Sequence, residues 1–203
     1  MSEVQRTEGW HTARLGKVTA SRIKGALMKK GTAGRDNLMA ELICERLTGE
    51  PTKTFSSPAM EWGVEQEPVA RDAYCVATGE LVDESPFVQH PSIEWAGASP
   101  DGIAGDGLIE IKCPNSATAL DTLLSEEVPT EYIPQMMWQM ACTGAKWVDF
   151  VSFDPRLPKN LRLFIKRVER DDKRIAEMEA EVRKFLGELE EKLAKLKEKA
   201  DGV

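Results

Sequence analysis

The sequence predicts an α+β fold, a central mixed β-sheet flanked by helices, on three observations. Apolar residues recur at helical spacing as far as Thr78, give way to short extended runs between Leu81 and Cys113, and return to helix, strand and helix beyond. The chain has 203 residues, 41% of them hydrophobic, enough for one ordinary core, so a single domain over 1–203 is expected. From Asp171 to Lys199 the residues Ile175, Met178, Val182, Phe185, Leu189, Leu193 and Leu196 follow the three-and-four spacing of a long amphipathic helix. That helix either packs on its own domain or carries a subunit contact.

The elements follow in order. Thr19 to Met28 opens on Thr and Ser in a capping position and continues at helical spacing, which predicts a short helix, and Lys29 to Gly34 reads as a basic loop. Arg35 to Thr48 places Leu38, Leu42, Ile43 and Leu47 on one stripe and stops at Gly49. Ser57 to Thr78 predicts another helix ending at Gly79, with Met60, Val64, Ala70, Ala73, Tyr74 and Ala77 on its inner side. Leu81-Val82, Phe87 to His90, Ile93 to Ala96 and Leu108 to Cys113 are strand candidates separated by Pro and Gly turns, expected to form a meander. Tyr132 to Cys142 reads as a helix; Trp147 to Phe153 and Leu161 to Val168 read as strands around a turn at Asp154-Pro155.

Composition narrows the class. No apolar run approaches the roughly 20 residues of a membrane span, and the first residues lack a basic segment followed by an apolar one, so a cytoplasmic, soluble protein is expected. Cys44, Cys75, Cys113 and Cys142 stand far apart with no CxxC or Cys/His pairing, which disfavours zinc and iron–sulfur sites. His11 and His90 have no partner at ligand spacing and read as structural. The net charge of -7 runs against binding a polyanion, yet Arg14, Lys17, Arg22, Lys24, Lys29 and Lys30 fall in a stretch without one acid. That stretch is either a basic binding face or a solvated helix surface.

Chemistry concentrates in two segments. The strand period of two puts Glu110 and Lys112 on one face of an otherwise apolar strand, where charges are costly unless paired or bound. Asp101, in the turn Ser99-Pro100-Asp101-Gly102, can be brought beside Glu110 by a hairpin. Two carboxylates and the main-chain carbonyl of Ile111 make an oxygen cage suited to Mg²⁺, and an ammonium beside them can orient the attacking water and stabilise phosphate charge. PD followed by ExK is the PD-(D/E)XK nuclease pattern; the bland alternative is a surface turn and a salt-bridged strand.

The surrounding motifs are more specific. Trp10-His11-Thr12-Ala13-Arg14-Leu15-Gly16-Lys17-Val18-Thr19-Ala20-Ser21, Glu67-Pro68-Val69-Ala70-Arg71, Ser99-Pro100-Asp101-Gly102, Glu110-Ile111-Lys112-Cys113-Pro114 and Tyr132 to Met140 (YIPQMMWQM) occur in one order across most of the chain. Together they resemble the YqaJ-type viral recombinase (lambda-exonuclease-like) family of PD-(D/E)XK nucleases. The resemblance implies a restriction-endonuclease-like core and a Mg²⁺-dependent, processive 5′-to-3′ exonuclease on double-stranded DNA that releases 5′-mononucleotides and leaves 3′ overhangs for phage-type recombination.

Carried onto this chain, Asp101, Glu110 and the Ile111 carbonyl would hold the metal. A second Mg²⁺ would share Asp101, with Glu67 nearby, and Mn²⁺ would substitute. Lys112 would position or activate the water. Arg14, Ser21, Ser99 and Gln135 would bind a 5′-terminal phosphate, a set of donors matched to a dianion. Met60 would be an apolar wedge at the duplex end, and Lys29 and Lys30 would touch the duplex. The duller alternatives are a salt-bridging Arg14, a helix-capping Ser21, an exposed Gln135, a Glu67 paired with Arg71 and a Met60 packed in the core. The family also implies a trimeric ring, a single-strand annealing partner and a phage or prophage origin in a bacterial host. A PD-(D/E)XK endonuclease and a DNA-end-binding module without catalysis are the rival readings.

Overall fold

The computed structural model describes residues 5–52 and 57–201. Its centre is a four-stranded mixed sheet in the order β4 (Gly102–Ala104), β5 (Gly107–Lys112), β6 (Trp147–Phe153), β7 (Leu163–Glu169). β5 and β6 are parallel and the outer pairs antiparallel, so the predicted mixed α+β architecture is present. A parallel pair needs a crossover, supplied by α5 (Ser116–Ser125) and α6 (Ile133–Thr143). Strand alternation then sorts the core. Leu108, Val148 and Phe150 face α6 and the other helices, whereas Ile109, Ile111, Val151 and Phe153 face Ala70 and Tyr74 of α4 (Pro58–Thr78).

A second, three-stranded sheet has the order β1 (Val18–Thr19), β3 (Ala96–Ala98), β2 (Val88–Gln89), with β1 parallel to β3. The expected meander is therefore divided between two sheets. The chain changes sheet at Ser99-Pro100-Asp101, where Pro100 has no N–H to continue a ladder. Gly97 lets β3 lie under an aromatic ring: a Cβ there would fall 2.2 Å from Phe87.

Other differences have local causes. The helix expected over Thr19–Met28 is shortened to a 3₁₀ turn at Ala20–Arg22 and α2 (Ile23–Leu27), because β-branched Val18 and Thr19 pair with Ala96 and Gly97. Leu81-Val82 forms no strand, and only Asp83 bridges to Ile103. The strand expected over Ile93–Ala96 starts at Ala96, after a turn. α1 (Glu8–Arg14), capped by the Thr7 hydroxyl, and α5, capped by Asn115, were not anticipated. α4 buries only Ala70 and Tyr74 fully; Met60, Val64 and Ala77 point outward.

α3 (Ala33–Thr48) and α4 end at left-handed Gly49 and Gly79 as the sequence indicates. α7 (Asp172–Asp201) lays Ile175, Met178, Val182, Phe185, Leu189 and Leu193 into the core against α2, α3 and α6; Leu196 stays 43% exposed. Packing on its own domain thus accounts for most of the predicted stripe. Among the described residues no helix is long and apolar enough to cross a membrane.

Candidate active site

The site grows from the end of one ladder. β4 and β5 pair at Gly102↔Ile109, so the next position sets Asp101 opposite Glu110 just where the strands separate. Asp101 Oδ2 accepts the Ile111 N–H at 2.7 Å. In a strand the N–H and C=O of one residue point to the same edge, which turns the Ile111 carbonyl toward Asp101. Glu110 is 1% exposed, and such a buried carboxylate requires donors. Lys112 Nζ lies 2.5 Å from Oε1, and two amides from α6, one helical turn apart, add Gln135 Nε2 to Oε1 and Gln139 Nε2 to Oε2, each at 2.5 Å.

Charge crowding follows. Burial, then the neighbouring Glu110, pushes the Asp101 carboxyl well above its usual range, with Glu67 adding to it and Lys112 opposing. Burial works against the Lys112 charge, but Glu110 and Asp101 outweigh it and raise the ammonium above its ordinary value. Two hard carboxylates that repel one another beside a main-chain oxygen fit a small divalent cation. Among the described residues no group of three or more His, Cys, Asp or Glu side chains is arranged to hold a metal.

Glu67, in the middle of α4, lies within electrostatic reach of Asp101 but is engaged by cations on both oxygens. Arg6 meets Oε2 at 2.5 Å and Arg71 meets Oε1 at 3.0 Å, the latter being the i,i+4 pair weighed from the sequence. Arg71 also donates to the Asp101 main-chain carbonyl at 3.1 Å.

A cationic pocket opens alongside. Arg14 Nη1 donates to Ser99 Oγ at 3.0 Å and Nη2 to Ser21 Oγ at 3.4 Å, while the guanidinium lies 4.1 Å over the Trp10 ring. Trp10 Nε1 donates to the same Ser99 oxygen at 3.0 Å. Burial, then nearby Arg22, pulls the Arg14 guanidinium down from its ordinary value to about 10 against the opposing pull of Glu45. A cation held in a field that disfavours its charge favours an added anion.

One cleft of about 550 Å³ is lined by Arg14, Ser21, Met60, Glu67, Ser99, Asp101, Glu110, Ile111, Lys112 and Gln135. Gln135 differs from the other three phosphate candidates in spending its amide on Glu110. Met60 sits on the first turn of α4, 57% exposed at the cleft wall. Lys29 and Lys30 are exposed but outside the cleft lining, and Lys30 is 3.6 Å from Glu188.

The basic stretch is no single face. Arg22 is paired with buried Glu45 at 2.6 Å, and Lys17 donates to Gln89. His90 is buried, stacked on Trp138, and its Nδ1 accepts from Ser92 N–H, a structural placement; exposed His11 packs edge-on against Trp10. All four cysteines are free thiols. Trp10, Arg6 and Gln139 are given no role by the sequence, and Arg71 only that of a partner for Glu67. Of the first three, Gln139 had a usable signal, its Gln-x-x-x-Gln spacing from Gln135.

An alkaline exonuclease from Laribacter hongkongensis superposes with a TM-score of 0.91 at 53% identity over 97% of this chain and 99% of its own, as does the same enzyme in complex with dAMP. A phage-related exonuclease from Haemophilus somnus 129PT shares the fold, with a TM-score of 0.72 at 16% identity over 89% of this chain and 96% of its own. No curated protein matches the chain. The model of the YqaJ-like viral recombinase domain matches residues 9–146, a span that holds the β4–β5 hairpin, the Arg14 pocket and the two-glutamine helix. On that match the chain belongs to the YqaJ-like viral recombinase family.

Proposed function

We propose that this protein is a nuclease, and specifically a Mg²⁺-dependent, processive 5′-to-3′ exonuclease on double-stranded DNA that releases 5′-mononucleotides and leaves a 3′ single strand. The observation that carries the reading is the sharing of one cleft by an anion pocket of Arg14, Ser21 and Ser99 and by the Asp101–Glu110–Lys112 cluster. A terminal phosphate anchored in the first places a phosphodiester at a set distance in the second. The 53% identical alkaline exonuclease, solved with dAMP, supports a mononucleotide-sized product.

Asp101, Glu110 and the Ile111 carbonyl would hold the cation, Glu67 would serve a second one, and Mn²⁺ would substitute. A bound divalent ion supplies a more acidic water and neutralises phosphate charge. Lys112, protonated between two carboxylates, donates hydrogen bonds to the attacking water or the phosphate oxygens rather than serving as the base. Gln135 can move its amide from Glu110 toward the terminal phosphate. Met60, exposed on the cleft wall, acts as an apolar wedge at the duplex end, and Lys29 and Lys30 make peripheral DNA contacts. A trimeric ring around the DNA and a single-strand annealing partner complete the proposal for phage-type recombination in a bacterial cytoplasm.

The test incubates linear duplexes bearing 5′-phosphate or 5′-hydroxyl ends, and a closed circle, with Mg²⁺. Only linear DNA should be digested, phosphorylated ends faster. Arg14→Ala should slow phosphorylated ends by about 10- to 100-fold, the loss of a charge-assisted contact of about 1.5–3 kcal/mol, and leave hydroxyl ends near the parent rate. Equal parent rates on both ends would remove the phosphate pocket from the reading. Cleavage of the circle would replace it with an endonuclease.

A further inference from the structure

We infer that Arg71 is a positioning residue for the cation site. Between β3 and β4 the chain leaves one sheet for another, so the carbonyls of Pro100 and Asp101 have no strand to pair with. Side chains replace the missing ladder: Gln5 Nε2 donates to the Pro100 carbonyl at 2.7 Å and Arg71 Nη2 to the Asp101 carbonyl at 3.1 Å. The same Arg71 nitrogen meets Glu67 Oε1 at 3.0 Å, and Nη1 reaches Glu84 Oε1 at 3.4 Å.

Asp101 is therefore gripped at both ends, its carboxylate by the Ile111 N–H and its carbonyl by a guanidinium rooted in α4. The Arg71 side chain is 18% exposed and its Nε is buried without a partner among the described residues, a cost that only the planar fork's other contacts offset. One rigid group thus sets the spacing between the α4 acid Glu67 and the acid Asp101 that closes the hairpin.

The sign of the effect separates positioning from charge. Removing a cation beside a cation site should tighten metal binding if Arg71 acts only through its field. Removing a positioning residue should weaken it. The inference rests on Asp101 and Glu110 being cation ligands, and Asp101→Asn tests that separately.

Mn²⁺ titration by calorimetry on the DNA-free protein provides the readout, with circular dichroism to establish folding. Arg71→Ala should weaken Mn²⁺ binding by about tenfold or more, and Arg71→Lys, which keeps a cation but loses the planar fork that reaches Glu84 as well as Glu67 and the Asp101 carbonyl, by a smaller factor with native dichroism. In the Glu67→Gln background Arg71→Ala should still weaken binding, because the Asp101 carbonyl remains its target. The preference for 5′-phosphorylated ends should survive in Arg71→Lys. Unchanged or tighter Mn²⁺ binding in Arg71→Ala, or in Arg71→Lys should the alanine variant not fold, overturns the inference. If Asp101→Asn binds Mn²⁺ as tightly as the parent, the cation-site reading itself fails.

Discussion

Asp101 and Glu110 show how a few side chains turn an apolar strand into a reactive one. Glu110 is accommodated in the interior because Lys112, Gln135 and Gln139 donate to it, whereas Asp101 has one N–H and two acidic neighbours. Without metal the Asp101 carboxyl retains a proton that the unfolded chain loses above about pH 4. Over that window the folded state binds more protons than the unfolded one, so this group's contribution to stability falls as pH rises. A divalent cation takes only the ionised carboxylate. The rise in melting temperature on adding Mg²⁺ should therefore be small near about pH 5 and grow toward about pH 8. A shift of equal size at both, measured by scanning calorimetry, would contradict the assignment of Asp101 as a ligand. Arg14 has the opposite character, a cation whose surroundings lower its pKa and whose hydroxyl neighbours leave room for an anion.

Elements, rather than single residues, fix where these groups meet. α6 contributes two amides because Gln135 and Gln139 are one turn apart on its inward side. α4 reaches the same place through Glu67 and Arg71, also one turn apart. α7 lies on the far side of the core, and Leu189 on it is fully buried. Leu189→Ala should cost about 2–5 kcal/mol in chemical denaturation, with the rate on linear DNA nearly unchanged at temperatures where the variant is folded. Light scattering should find the same oligomer as the parent, because the stripe that Leu189 belongs to is spent within its own domain. A variant that changes assembly state without losing stability would reassign the helix to a subunit interface.

At the scale of the molecule, the net charge of -7 goes with a local cationic pocket at Arg14 and with most arginines paired to acids. Arg22 is held by Glu45, Arg35 by Glu188, Arg46 by Glu190, Arg156 by Asp154 and Arg167 by Asp149. Of the cations that line the cleft, Arg6 and Lys112 are paired with acids, whereas Arg14 is held by hydroxyls. The logarithm of DNA affinity per chain should therefore fall with the logarithm of salt concentration at a slope of about 2–4, near 0.9 per phosphate neutralised. A slope near about 10 would demand a broad basic surface beyond the cleft. Ring assembly would gather several such small patches around one duplex, which light scattering and titrations at varied salt can establish together.

The order of helices and strands, the left-handed ends at Gly49 and Gly79, and the Asp101, Glu110 and Lys112 cluster were legible from the chain alone. Those features are local: they depend on apolar period, glycine conformation and the two-residue alternation of a strand. The fold class followed for the same reason. Tertiary structure alone decided that the meander splits at Pro100 into two sheets, that Val18 and Thr19 become a strand instead of a helix start, and that α1 and α5 exist. It also decided the partners of the cluster, namely Gln139 on Glu110, Arg71 on the Asp101 carbonyl, Arg6 on Glu67 and Trp10 on Ser99. Each of those contacts joins residues far apart in sequence, and no periodicity within either segment records which distant donor a buried carboxylate or an unpaired carbonyl will find.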